Sequence, residues 1–88
     1  MAKKKKVITT KLKARKGTHG DYIENFRVIQ NLKATMKDSV NWEQLPLEQK
    51  ESLEMIAVKV GRVLSGDFDV ADHWEDIEGY SHLISQDL

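Results

Sequence analysis

From Pro46 to Ser65 the chain reads as one helix whose apolar residues do not stay on one side. Leu53, Met55, Ile56, Ala57, Val58, Val60, Val63 and Leu64 together cover more than the third of a helix circumference that an ordinary surface helix buries. A helix of this kind either sits in the middle of its domain or also lends a face to an oligomer interface. Gly61 falls inside it, where glycine costs about 1 kcal/mol relative to alanine, and a close helix crossing would account for that cost. Pro46 suits the first helical position, where its missing N–H is not needed. Gly66 is expected to end the helix as a left-handed cap.

The remaining chain offers little else to build a core with. Eighty-eight residues make one domain of limited burial, and there is no cysteine to brace it with a disulfide or to serve as a thiolate. Helix packing must supply the stability, with self-association adding to it. No apolar run approaches the ~20 residues of a membrane span, and the N-terminal lysines lack the apolar segment of a secretory signal. The expectation is a soluble, cytoplasmic protein with no membrane partner.

A formal net charge of zero hides a strong polarity. Residues 1–16 hold eight lysines and arginines and no acid, so the remaining six basic residues face all fourteen acids, a balance of −8 over 17–88. From Asp67 onward there are seven acids and no lysine or arginine. A basic arm over 1–16 followed by a helical domain over 17–88 is the expected organisation. The arm would meet a polyanion, draw subunits together head to tail, or act only as a solubilising tail.

Around the central helix, the pattern predicts three others. Val7–Lys16 reads as a short helix, after four repelling lysines and before a Gly17–Gly20 break. Asp21 and Glu24 read as a capping box for a helix running to about Lys37, with Tyr22, Phe26, Ile29, Leu32 or Lys33, and Met36 along one face. Trp42 and Leu45 read as a short turn lidding the core. Asp69 is expected to cap a last helix running to about Gln86. Asp72 then falls at its third position, and Trp74, Ile77, Ser81 and Ile84 form its apolar row. Gly79 interrupts this helix where a neighbour would approach. With no strand pattern, the fold class is all-α: three main helices plus a short N-terminal one, a hairpin or bundle that oligomerises.

Few residues carry candidate chemistry. Glu51 and Glu54 lie one turn apart on the central helix, as do Asp72 and Asp76 on the last. Antiparallel packing would let these four carboxylates converge on Mg2+, which takes oxygen ligands; otherwise they are solvated helix faces. Lys59 and Arg62, three apart on an apolar helix, would either hold a phosphate or pair with Asp72, Asp76 or Glu54. His73 and His82 are nine apart, about 180° around one helix, and His19 lies in a loop, so they form no zinc set. Tyr22, beside His19 and Asp21 at a helix start, is placed to stack a base while backbone amides meet a phosphate. Trp42, Phe26, Trp74 and Tyr80 are read as core.

The order HGDYIENF (19–26), EMIAVKVGRVLSGD (54–67) and DHWEDIEGYSHL (72–83) resembles a small family of phage and prophage proteins of uncharacterised function. The helical pattern is also similar, more distantly, to the MazG-like all-α nucleotide pyrophosphohydrolases. Those enzymes assemble from helical hairpins and hold magnesium with an E-x-x-E motif on one helix and an E-x-x-D motif on the next. Glu51-x-x-Glu54 matches the first motif. The second is replaced by Asp72 and Asp76, four apart, and Lys59 and Arg62 bring positive charge nearby. The resemblance therefore implies a non-catalytic, oligomeric nucleotide-binding protein without a cofactor. It would sequester a nucleotide or cyclic nucleotide immune signal as an anti-defence sponge, through His19, Asp21, Tyr22, Lys59 and Arg62. The alternative it implies is a Mg2+-dependent pyrophosphohydrolase using Glu51, Glu54, Asp72 and Asp76. Nucleic-acid binding by the lysine arm is a third reading, one that would be steeply salt-dependent.

Overall fold

The computed structural model describes residues 22–88. The short N-terminal helix, the basic arm, the Gly17–Gly20 break, His19 and the Asp21 cap all lie outside the described residues. Among the described residues there are three α-helices, one 3-10 turn and no strand. We label the helices α1 (Tyr22–Lys37), α2 (Leu47–Ser65) and α3 (Ala71–Ser85); the 3-10 turn spans Trp42–Gln44.

Each boundary has a local cause. In α1, Glu24 accepts two hydrogen bonds from Arg27, at 2.9 and 2.6 Å, both on the exposed side. That contact, first the hydrogen bond and then the charge, holds the Arg27 guanidinium pKa above its usual value. The helix ends where the Ser39 hydroxyl donates to the Thr35 carbonyl at 3.0 Å and the chain turns toward Trp42. Trp42 is buried beneath the Lys50 ammonium, 6.0 Å from the ring centroid, so it lids the core as its position implied. Pro46 is the residue before α2 rather than its first: its ψ of 156° is extended, and its carbonyl accepts from both Gln49 and Lys50.

Two caps differ from expectation. Gly66 has φ −139°, outside the left-handed region, so the end of α2 uses no left-handed cap. The Ser65 hydroxyl instead donates back to the Gly61 carbonyl at 2.6 Å. Asp69 does not cap α3. Its own N–H donates to the Asp67 carboxylate at 3.0 Å, which tightens the loop, and Val70 occupies the cap position with no side-chain bond. Asp72 is thus the second helical residue, still within the positive first turn.

α1 and α3 both run antiparallel to α2 and lie on opposite sides of it. Ile29 and Asn25 face Gly61 and Ser65, while Lys59 faces Asp76. α1 and α3 have almost no contact with each other, so the three helices form a single layer with α2 in the middle. The breadth of apolar surface on α2 follows from this placement. The layer buries little: Ile29, Trp42 and Ala57 are its buried apolar residues, joined by Asn25, Ser52 and His73, and no described side chain is completely buried. Gly61 marks the tightest point, since a Cβ there would lie 2.5 Å from Ile29 Cγ1. Gly79 faces open space with nothing within 4 Å, and no neighbour approaches it.

The face that α3 turns inward is also rotated by one residue from the expected row. His73, only 3 % exposed, takes the inward position, with Ile77, Tyr80 and Ile84 half-buried behind it; Trp74 is 57 % exposed. Both rows share Ile77 and Ile84. In the observed rotation the Asp76 carboxylate lies 2.8 Å from the Lys59 ammonium. Phe26 likewise leaves the row expected for α1, at 58 % exposure, and buried Asn25 takes its place.

Candidate functional site

The helical register divides the open surface of the layer into two sides. With α1 and α3 on opposite flanks of α2, the remaining faces of α2 point up and down. Glu51, Met55, Val58 and Arg62 share one of them; Leu53, Val60 and Leu64 share the other. Lys33 leans toward the first side, where it meets Glu54 at 3.6 Å, and Asp76 leans the same way toward Lys59. Tyr22 and Phe26 fall on that side of α1, one turn apart. Their rings are in edge-to-face contact, with centroids 5.7 Å apart and planes at 79°.

This first side is the candidate site. It carries three half-buried cations, Lys33, Lys59 and Arg62, and an aromatic pair at the end of the layer where α1 begins. The Lys59 ammonium sits 2.8 Å from the Asp76 carboxylate, with 16 % of its side chain exposed against 46 % for Asp76. The pair is therefore shielded on the lysine side and open on the carboxylate side. Arg62 lies one turn further toward the Tyr22 end, with its Nε buried. The polar crossing of α1 and α2 lies below it: Asn25 Nδ2 donates to the Ser65 hydroxyl at 3.0 Å, and that hydroxyl donates to the Gly61 carbonyl. The crossing fixes the spacing between Tyr22 and Arg62, because one sits a turn before Asn25 and the other a turn before Ser65.

Of the residues singled out in the sequence, the structure brings Tyr22, Lys59 and Arg62 to one side of the layer. His19 and Asp21 lie outside the described residues. The four carboxylates do not gather. Glu54 faces α1 and pairs with Lys33, Asp76 pairs with Lys59 across the α2–α3 seam, and Glu51 and Asp72 are exposed. Among the described residues, no three of His, Cys, Asp or Glu come close enough to share an ion. The pairing of Lys59 with Asp76 is one of the two uses the sequence left open for that lysine. His73 and His82 point to opposite sides of α3, one buried and one exposed, as nine-residue spacing requires.

Sequence reasoning missed two features. Phe26 is the exposed half of the aromatic pair, and its i+4 spacing from Tyr22 was the available signal. The other is a groove of about 240 Å3 between α2 and α3 on the opposite side of the layer, floored by Ile56, Tyr80 and Ile84 and rimmed by Leu53, Ser81 and Ser85. Ser81 and Ser85, one turn apart among large residues, leave the space. No described helix is long and apolar enough to cross a membrane. Comparison with protein-family models, with curated proteins and with solved structures gives no match.

Proposed function

We propose that this chain is a non-catalytic nucleotide-binding protein that works as an oligomer, of the kind that sequesters a nucleotide signal in the cytoplasm of a phage-infected cell. The observation that supports the reading is the company Arg62 and Lys59 keep. Two basic side chains partly withdrawn from water share a side of the layer with an edge-to-face aromatic pair, half-buried Tyr22 and exposed Phe26. A nucleotide presents those two chemistries, a phosphate for a planar fork and a point charge, and a base with a π-face for an aromatic platform. Asp76 holds the Lys59 ammonium in place at 2.8 Å, and a phosphate would replace the carboxylate as its partner. The layer formed by the described residues does not by itself wrap a ligand, and in this reading the far wall of the site comes from another subunit.

The experiment is equilibrium dialysis of the full chain against a panel of linear and cyclic nucleotides. Lys59→Ala and Arg62→Ala should each weaken binding at least tenfold, about 1.4 kcal/mol, with Tyr22→Ala weakening it less. Unchanged affinity in both cation variants would remove the basis of the reading. Release of pyrophosphate from a nucleoside triphosphate in the presence of magnesium, abolished by Asp76→Asn, would replace it with hydrolysis.

A further inference from the structure

Both lysines on the candidate side already hold a carboxylate. From this, and resting on the nucleotide reading above, we infer that the site selects nucleotides ending in a phosphate monoester over those whose phosphates are all diesters. Asp76 sets the threshold, as a competitor for Lys59 built into the chain.

A phosphate cannot simply be added at Lys59; it has to be exchanged for Asp76. The Lys59 ammonium lies 2.8 Å from the Asp76 carboxylate, within hydrogen-bonding range, and its side chain is only 16 % exposed. The two partners differ in shielding. Asp76 is 46 % exposed and can turn into water while the lysine stays where it is. Lys33 and Glu54 are about equally shielded, at 23 % and 26 %, so that pair offers no comparable open side. Lys59 is therefore the position at which an incoming anion takes over an ion pair, with Arg62 one turn away on the same side of the layer.

Charge then decides which anions succeed. A phosphate diester carries one negative charge, as the carboxylate does, so the exchange gives Lys59 nothing it lacked. The surroundings do not help: Glu51, on the same face of α2, and Asp72, one turn before Asp76, add negative charge near the three cations. A terminal monoester carries a charge of about −1.5 to −2 at pH 7 and has three acceptor oxygens. It attracts the ammonium about twice as strongly as a diester does, and it leaves oxygens for Arg62. Repulsion from the released carboxylate rises as well, but it acts through water and is screened. The new contact is made at a lysine mostly withdrawn from water, where screening is weak.

The test is isothermal titration of the full chain with matched ligands: the 5′-monophosphate and the 3′,5′-cyclic monophosphate of each of adenosine, guanosine, cytidine and uridine. Within a pair the base and sugar are the same and one ester bond differs. At pH ~7.5 the monoester of at least one pair should bind about tenfold more tightly than its cyclic partner, or better. At pH ~5, a unit below the second phosphate pKa of about 6, only about a tenth of the monoester is dianionic, so that advantage should shrink to about twofold. The cyclic partner controls for any change in the protein itself. Asp76→Asn should tighten monoester binding about threefold or more, whereas a residue that only positioned Lys59 would give the opposite sign. Helical circular dichroism shows whether that variant folds, and the wild-type pairs with their pH dependence carry the test without it. Equal affinity within every pair, tighter binding of a cyclic ligand, a monoester advantage that persists at pH ~5, or weaker binding by folded Asp76→Asn overturns the inference and leaves the nucleotide reading standing. Binding of none of these ligands overturns both.

Discussion

Replacing Gly61 by alanine tests the geometry on which the layer depends. In an exposed helix the change is favourable by about 1 kcal/mol, because alanine has the better propensity. Here the new methyl would lie 2.5 Å from Ile29 Cγ1, 3.2 Å from its Cδ1 and 3.5 Å from Asn25 Nδ2. Ile29 is buried and branched at Cβ, so it cannot swing aside at little cost. Forcing a methyl into such a site usually costs about 1–3 kcal/mol, and here the Asn25–Ser65 hydrogen bond is disturbed as well. The net expectation is a loss of roughly 1–2 kcal/mol. Gly79, with nothing within 4 Å, supplies the control: Gly79→Ala should stabilise by about 0.5–1 kcal/mol. Urea unfolding followed by circular dichroism, at one fixed protein concentration because association would shift the midpoint, should therefore move in opposite directions for the two variants. In thermal melts the Gly61 variant should fall by roughly 5–15 °C. Combining Gly61→Ala with Ile29→Ala should cost less than the two single changes together by at least about 1 kcal/mol, as expected for residues competing for one space. Stabilisation by Gly61→Ala equal to that by Gly79→Ala would refute the close crossing.

Further outcomes follow from the same contacts. Asp76→Asn should cost about 1 kcal/mol in urea unfolding, by leaving a mostly shielded ammonium without its carboxylate. Lys59→Met, which removes the charge and keeps the stem packed, should cost less. Glu24→Gln should leave the unfolding midpoint unmoved, because its pair with Arg27 is fully solvated. The guanidinium's raised pKa adds no pH dependence below its already alkaline unfolded value, since that stabilisation is complete there and lost only above it. Trp42→Ala should cost about 3–5 kcal/mol, enough to abolish a cooperative transition in so thin a domain, as thermal circular dichroism would show.

Helix type and span were legible because they rest on spacing and breakers that act locally. α1 to Lys37, the Trp42 turn, α2 to Ser65 and the close approach at Gly61 can all be read without tertiary knowledge. What could not be read was which of two overlapping faces α3 turns inward. Trp74 is the most apolar choice by residue type, yet His73 is buried, in the rotation that also carries Asp76 to Lys59, a tertiary contact that the pattern of one helix does not contain. Asp69 and Gly66 carried plausible cap chemistry, and the tight Asp67–Val70 loop left it unused. For the site, Tyr22 and Arg62 are forty positions apart in the chain. Only the Asn25–Ser65 crossing sets them on the same side, and no single-helix pattern encodes a crossing.

Since α1 and α3 touch almost only α2, neither outer helix vouches for the other. Peeling α3 away would leave a hairpin of α1 and α2 still joined through Ile29 and Gly61, and detaching α1 would leave the α2–α3 hairpin with its seam closed. Amide protons in the middle of α2 should accordingly be the last to exchange with solvent, and anything bound near Tyr22 can reach α3 only by way of that one shared helix.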